Sequence, residues 1–156
     1  MLYAPCANAQ SKAFIPDTNF RNFLNTNYPG FIVGDSLLID SAATLTGTLS
    51  CSFQNIADLT GVEYFVNITG LSCYWNLLTA LPALTNNTAL WGFDCSINQL
   101  TTLPDLTNNT ALQVLFCHTN QLTTLPDLTN NTALQSLSCD NNQLTALPDF
   151  TNNTAL

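Results

Sequence analysis

A period of 22 residues runs through two thirds of this chain. Cys51, Cys73, Cys95, Cys117 and Cys139 stand 22 residues apart, and Leu59, Leu81, Leu103, Leu125 and Leu147 keep the same step. The stretch from Asn98 to Gln113 recurs without a change from Asn120 to Gln135. A unit this short cannot bury its apolar face alone, so successive units must stack and share one continuous core. That requirement restricts the chain to a solenoid.

One unit, Leu112 to Leu122, reads Leu-x-x-Leu-x-Cys-x-x-Asn-x-Leu. This is the pattern of the leucine-rich repeat, with cysteine at the second inward strand position. Side chains alternate across a strand, so Leu115 and Cys117 point inward while Val114, Phe116 and His118 point outward. Asn120 follows where the chain must turn, and its amide can satisfy backbone groups of adjacent coils. Asn76, Asn98 and Asn142 repeat that position, and the first unit has Gln54 there. Leu122, Leu125 and Leu128 supply further inward anchors, and Pro126 closes off regular pairing.

Five units cover 46–67, 68–89, 90–111, 112–133 and 134–155, and Leu156 opens a sixth. Residues 46–156 are therefore expected to be a repeat array truncated before a C-terminal cap. Residues 11–45 read as an N-terminal cap. Asp17 is placed to cap a helix with Phe20, Phe23 and Leu24 on one face and Ile15 stapled behind. Tyr28-Pro29-Gly30 ends that helix, and Phe31–Val33 and Leu37–Ile39 suit short strands over the first coil. The expected fold is an α/β leucine-rich-repeat solenoid, a right-handed β/3-10 horseshoe with a small helical N-terminal cap.

Charge narrows the partners. The 156 residues hold 2 Lys and Arg against 10 Asp and Glu, a formal charge of -8. Both cations, Lys12 and Arg21, lie near the N-terminus, which excludes the cationic footprint that nucleic acid or an anionic membrane requires. No run approaches the ~20 apolar residues of a spanning helix. Ala7-Asn8-Ala9 before Gln10 has the small-x-small form of a secretory cleavage site, so residues 1–10 read as a clipped signal peptide or disordered start. Cys6 leaves with that peptide, and Tyr3-Ala4-Pro5 before it is a poor acylation box.

Several motifs together resemble a known group. Ile15-Pro16-Asp17-x-x-Phe20, Asp58-Leu59-Thr60-Gly61-Val62-Glu63 and the repeated Asn-Gln-Leu-Thr-x-Leu-Pro are similar to secreted bacterial leucine-rich-repeat proteins related to internalins. The resemblance covers residues 14–156. It implies a secreted or cell-surface location and adhesion or protein binding, and it hands over no catalytic residues.

Five cysteines at one inward position would stack ~5 Å apart with parallel Cβ directions, wider than the ~3.8 Å of a disulfide. They are expected to be free, buried thiols, and a cysteine column alone offers no tetrahedral metal site. No cofactor is expected.

Attention then falls on the outward face. One column reads Ser50, Ser72, Asp94, Phe116, Ser138, and the next Ser52, Tyr74, Ser96, His118, Asp140. Trp75, Trp91 and Ile97 flank them. Large aromatics on an exposed sheet suggest a contact surface, and Tyr74, Trp75, Trp91, Asp94, Phe116, His118 and Asp140 are the candidate binding residues. The alternative for the two tryptophans is packing over the coil edges.

Ser96, His118 and Asp140 have the residue types of a hydrolase triad, but a sheet that consumes its own amides offers no oxyanion hole. Asp105, Asp127 and Asp149 form a convex column read as solvated, since each coil brings only one oxygen ligand toward a calcium ion. A Thr79, Thr101, Thr123, Thr145 row is a remote candidate for ordering water. Asn86, Asn108, Asn130 and Asn152 each open an Asn-Asn-Thr sequon, read as turn residues in a bacterial host. The functional expectation is a monomeric, non-enzymatic module binding a protein or glycan on its concave face. The alternative is a spacer or targeting arm of a larger secreted enzyme.

Overall fold

The computed structural model describes residues 10–156. The expected cleavage site and Cys6 lie outside the described residues. Five parallel strands form the spine: β4 (Gly47–Ser50), β5 (Ile68–Ser72), β6 (Gly92–Asp94), β7 (Val114–Phe116) and β8 (Ser136–Ser138). They are adjacent in chain order, and every register pair from Thr48↔Gly70 onward is one repeat apart, as in Leu71↔Phe93 and Leu115↔Leu137. Each coil thus lies directly over the last. The backbone ladder continues past the strands, with the Cys95 N–H donating to the Phe116 carbonyl at 2.9 Å.

Inside the coils, Leu49, Leu71, Phe93 and Leu115 form one buried column and Cys51, Cys73, Cys95 and Cys117 another. The five column cysteines are free. Desolvation pushes the thiols of Cys51 and Cys117 up to about 12 and those of Cys73 and Cys95 well above the ordinary range. The thiols are small apolar fillers here. The column at Leu59 is buried only in the first coil. Leu81, Leu103 and Leu125 pack against the core edge, and Leu147 is exposed.

Two asparagine ladders hold the coils in register. In the first, Asn76 Nδ2 donates to the carbonyls of Cys51 and Cys73, and its Oδ1 accepts from the Gln54 and Ile56 N–H groups. Asn98, Asn120 and Asn142 repeat the pattern, each bonding a coil 20 to 25 residues earlier. The second ladder corrects the reading of the Asn-Asn-Thr sequences as turn residues only. Their middle residues, Asn87, Asn109, Asn131 and Asn153, are buried, and Asn109 Nδ2 donates to the Leu84 and Asn87 carbonyls at 3.1 and 2.8 Å. Asn86, Asn108, Asn130 and Asn152 do point into solvent.

Between strand and ladder the chain turns through a left-handed residue in every coil: Phe53, Trp75, Ile97, Thr119 and Asn141, with φ from 53° to 61°. On the return path only the first coil forms a 3-10 turn (Val62–Tyr64). Later coils pass through two successive tight turns, such as Asn109 N–H to the Leu106 carbonyl and Leu112 N–H to the Asn109 carbonyl.

At the N-terminal side, α1 (Thr18–Asn27) buries Phe20, Phe23 and Leu24, and Asp17 caps it by accepting from the Phe20 N–H at 2.9 Å. β1 (Lys12–Phe14), β2 (Ile32–Val33) and β3 (Ser36–Leu38) make an antiparallel sheet of order β1-β3-β2, followed by the single-turn α2 (Ile39–Ala42). β1 and α2 have no counterpart among the expected elements. The other oxygen of Asp17 accepts from the Ala57 and Asp58 N–H groups, so one carboxylate caps the helix and ties it to the first coil. Phe31 stacks on Phe65 there at 6.4 Å.

Candidate binding face

The parallel sheet presents three outward columns. The pair anticipated from sequence is joined by a third, Thr48, Gly70, Gly92, Val114 and Ser136, in the same register. Two neighbouring glycines leave a recess in an otherwise continuous surface. A pocket of about 190 Å³ occupies it, with Gly70 and Gly92 in its floor and Trp91, Asp94, Val114 and Phe116 among its walls. The glycines of this column were not singled out in the sequence, although the 22-residue step exposes them.

The candidate residues divide into two places. Trp91 precedes β6, level with Thr69, whereas Trp75 follows β5 and its N–H donates to the Ser96 carbonyl. These positions lie roughly 15–20 Å apart along the strands. Trp91, Asp94 and Phe116 therefore share the pocket. Tyr74 and Trp75 instead gather around Phe53, with ring centroids at 4.6 and 5.5 Å. Trp75 is 55% exposed and Trp91 46%, so neither is buried as core packing.

His118 and Asp140 stand farther along. His118 Nδ1 lies 3.1 Å from Thr119 Oγ1, while Asp140 accepts from Ser138 Oγ at 2.8 Å and Asn141 Nδ2 at 2.7 Å. Ser96 is buried, and both its hydroxyl and its N–H donate to Asp94 Oδ1. The three residues of the triad pattern thus each bond elsewhere, and no chain of hydrogen bonds links serine to histidine to aspartate. In the turns after Pro104, Pro126 and Pro148, Asp105, Asp127 and Asp149 are exposed and each accepts from the N–H two residues on. Hydrogen bonds from Thr107, Thr129 and Thr151 hold these carboxyls below their ordinary range.

Among solved structures, the functional domain of InlJ from Listeria monocytogenes, which includes a cysteine ladder, is 36% identical. It superposes with a TM-score of 0.81, covering 94% of this chain and 32% of that one. The chain is an internalin-like leucine-rich-repeat solenoid. Internalin C2 of the same species is 26% identical with a TM-score of 0.60, covering 92% of this solenoid and 71% of that chain. InlF, 20% identical, shares the fold at a TM-score of 0.64 and is covered over 48% of its length. The solenoid spans about a third of the InlJ chain. No family model matches it, and no curated protein does. The inward cysteine column, Cys51 to Cys139, is itself a cysteine ladder. A stack of parallel strands supports a protein-interaction module in general, because each coil adds side chains to one extended face. Among the described residues no helix is long and apolar enough to cross a membrane.

Proposed function

We propose that this solenoid is a non-enzymatic binding module of a secreted or cell-surface protein, and that it holds a protein partner on its concave face as a monomer. The observation that carries the reading is the half-exposed Trp91 beside Phe116 over the glycine-floored pocket. Exposed aromatics around a recess supply the anchor sites that dominate interface energetics. The separate bonding of Ser96, His118 and Asp140 favours binding over hydrolysis. A surface location rests on the internalin-like build and on Ala7-Asn8-Ala9 before Gln10, read as an export-signal cleavage site within residues 1–10. In the same reading residues 11–45 cap the array formed by 46–156.

A photoreactive side chain placed at Phe116, compared with one at Asp127 on the convex side, tests the face. Adducts with extracellular proteins from position 116 and none from 127 are expected. Adducts from 127 alone would overturn the proposal. Because the solenoid matches only a third of the InlJ chain, an arm positioning a larger secreted enzyme is the second reading. That arm would work unchanged after Trp91→Ala with Phe116→Ala.

A further inference from the structure

The pocket on the concave face is smaller than the ~300–1,000 Å³ of ordinary small-molecule sites and is sized for one side chain. Packing against Thr48 accounts for Gly70, where a Cβ would meet Thr48 Oγ1 at 2.5 Å, but it does not dictate Gly92. A Cβ built on Gly92 meets nothing within 4 Å, and the backbone there is ordinary strand. Glycine at this position keeps the recess open at the expense of strand stability.

Asp94 in the wall is the second feature. Both of its hydrogen bonds, from the Ser96 N–H and hydroxyl, go to Oδ1, and Oδ2 receives no donor among the described residues. An apolar occupant would strip water from that oxygen without replacing it, which is costly for a carboxylate. No intramolecular cation serves it either, since residues 46–156 contain no lysine or arginine and both cations of the chain lie at Lys12 and Arg21. Trp91 and Phe116 add two aromatic rings to the lining, and such rings attract cations.

Building on the concave-face reading, we infer that the Gly70–Gly92 pocket receives a cationic side chain, arginine or lysine, from the protein partner. Its charged head pairs with Asp94 Oδ2 while its stem lies against Trp91 and Phe116. The uncompensated negative charge of the repeats attracts a basic partner to the solenoid, and Asp94 is the carboxylate that meets it in the pocket.

The test follows the Trp91 indole N–H by NMR in the intact chain while blocked tripeptides are added to millimolar concentration. The probes are acetyl-Gly-Arg-Gly-amide, its citrulline twin of the same shape without charge, and maltotriose as a neutral glycan. The arginine probe is expected to shift Trp91, and the citrulline probe to bind about tenfold more weakly or worse, the value of one charge-assisted bond. Asp94→Asn lowers arginine affinity about tenfold. Gly92→Val, a substitution the strand tolerates, fills the recess and abolishes the shift while circular dichroism stays unchanged.

Equal binding of the two peptides, or a shift by maltotriose alone, would overturn the cation pocket and leave the concave face standing. No shift with any probe also overturns it, and cross-linking at position 116 then judges the concave face by itself. If Asp94→Asn and Gly92→Val bind arginine like the parent chain, the pocket assignment is wrong.

Discussion

Replacing Asn120 by alanine should cost far more stability than replacing Asn109, although both are buried rungs of an asparagine ladder. Asn120 Oδ1 accepts from the Leu100 N–H at 2.9 Å, and its Nδ2 donates to the carbonyls of Cys95, Cys117 and His118. After the substitution each carbonyl keeps another donor: Asn98 Nδ2 for Cys95, Asn142 Nδ2 for Cys117 and the Ile97 N–H for His118. The Leu100 N–H keeps none and is stranded in the core. An orphaned buried donor costs about 1–3 kcal/mol, and the remaining lost bonds bring the total to about 3–4 kcal/mol.

Asn109 differs at its oxygen. Its Oδ1 is buried without a partner, and the Leu84 and Asn87 carbonyls it serves also accept from the Asn87 and Leu90 N–H groups. Alanine there orphans nothing and removes an unpaired acceptor, so the net cost is about 1 kcal/mol. Exposed Asn108→Ala should stay within about 0.5 kcal/mol. Urea unfolding read by circular dichroism resolves the difference, because a gap of 2–3 kcal/mol moves the midpoint by roughly 1 M or more. Equal midpoints for Asn120→Ala and Asn109→Ala, or the reverse order, would refute the reasoning.

Alkylation at pH 8 should label Cys139, the half-buried end of the column, and reach the other four only on unfolding, as peptide mass spectrometry will show. Because Cys51 and Cys117 hold their protons to about 12 when folded, the native state binds more protons above pH 9 than the unfolded chain. Stability is therefore intact below pH 9 and falls as pH rises toward 12, by about 1.4 kcal/mol per unit for each such thiol; a flat denaturation midpoint over that range contradicts it. Thr107→Val should raise the Asp105 pKa toward the ordinary carboxylate range, visible in a carboxyl NMR titration, because the Thr107 side-chain bond is the largest influence on it. Gly61→Ala should destabilise by about 2–4 kcal/mol in thermal unfolding, since φ is +109° and the new Cβ would meet Ile15 Cδ1 at 2.0 Å. Gly92→Ala is the control and should change stability by less than about 1 kcal/mol.

The coil was legible because the repeat prints its core positions five times, and the ladder at Asn76, Asn98, Asn120 and Asn142 was legible because each follows a fixed strand. Asn87 and its equivalents were not. Asn-Asn pairs offer two identical side chains on a turn, and only the path of the return segment decides which one faces inward. β1 escaped notice because Lys12–Phe14 is too short to show an alternation, and its pairing with β3 is fixed by tertiary contact. The sequence left Trp75 and Trp91 open between a contact surface and packing over the coil edges, and the division of the aromatics follows from register: these two flank opposite ends of neighbouring strands. The pocket was missed for a different reason, since a gap left by Gly70 and Gly92 is an absence of side chains, and attention to exposed side chains passes over it.

The two ladders and the strand register all close at one fixed step, which has a consequence for how such an array can change length. Duplicating one repeat inserts a coil whose upper and lower faces already fit its neighbours, as the unchanged copy of Asn98–Gln113 at Asn120–Gln135 illustrates. An insertion of any other size on the strand side displaces every rung beyond it. The joining surfaces are thus held to one template, whereas the outward columns meet those rungs only through backbone carbonyls and leave their side chains out of the ladder. Contact chemistry can drift coil by coil while the scaffold grows by copying, so reach and specificity vary independently in one molecule.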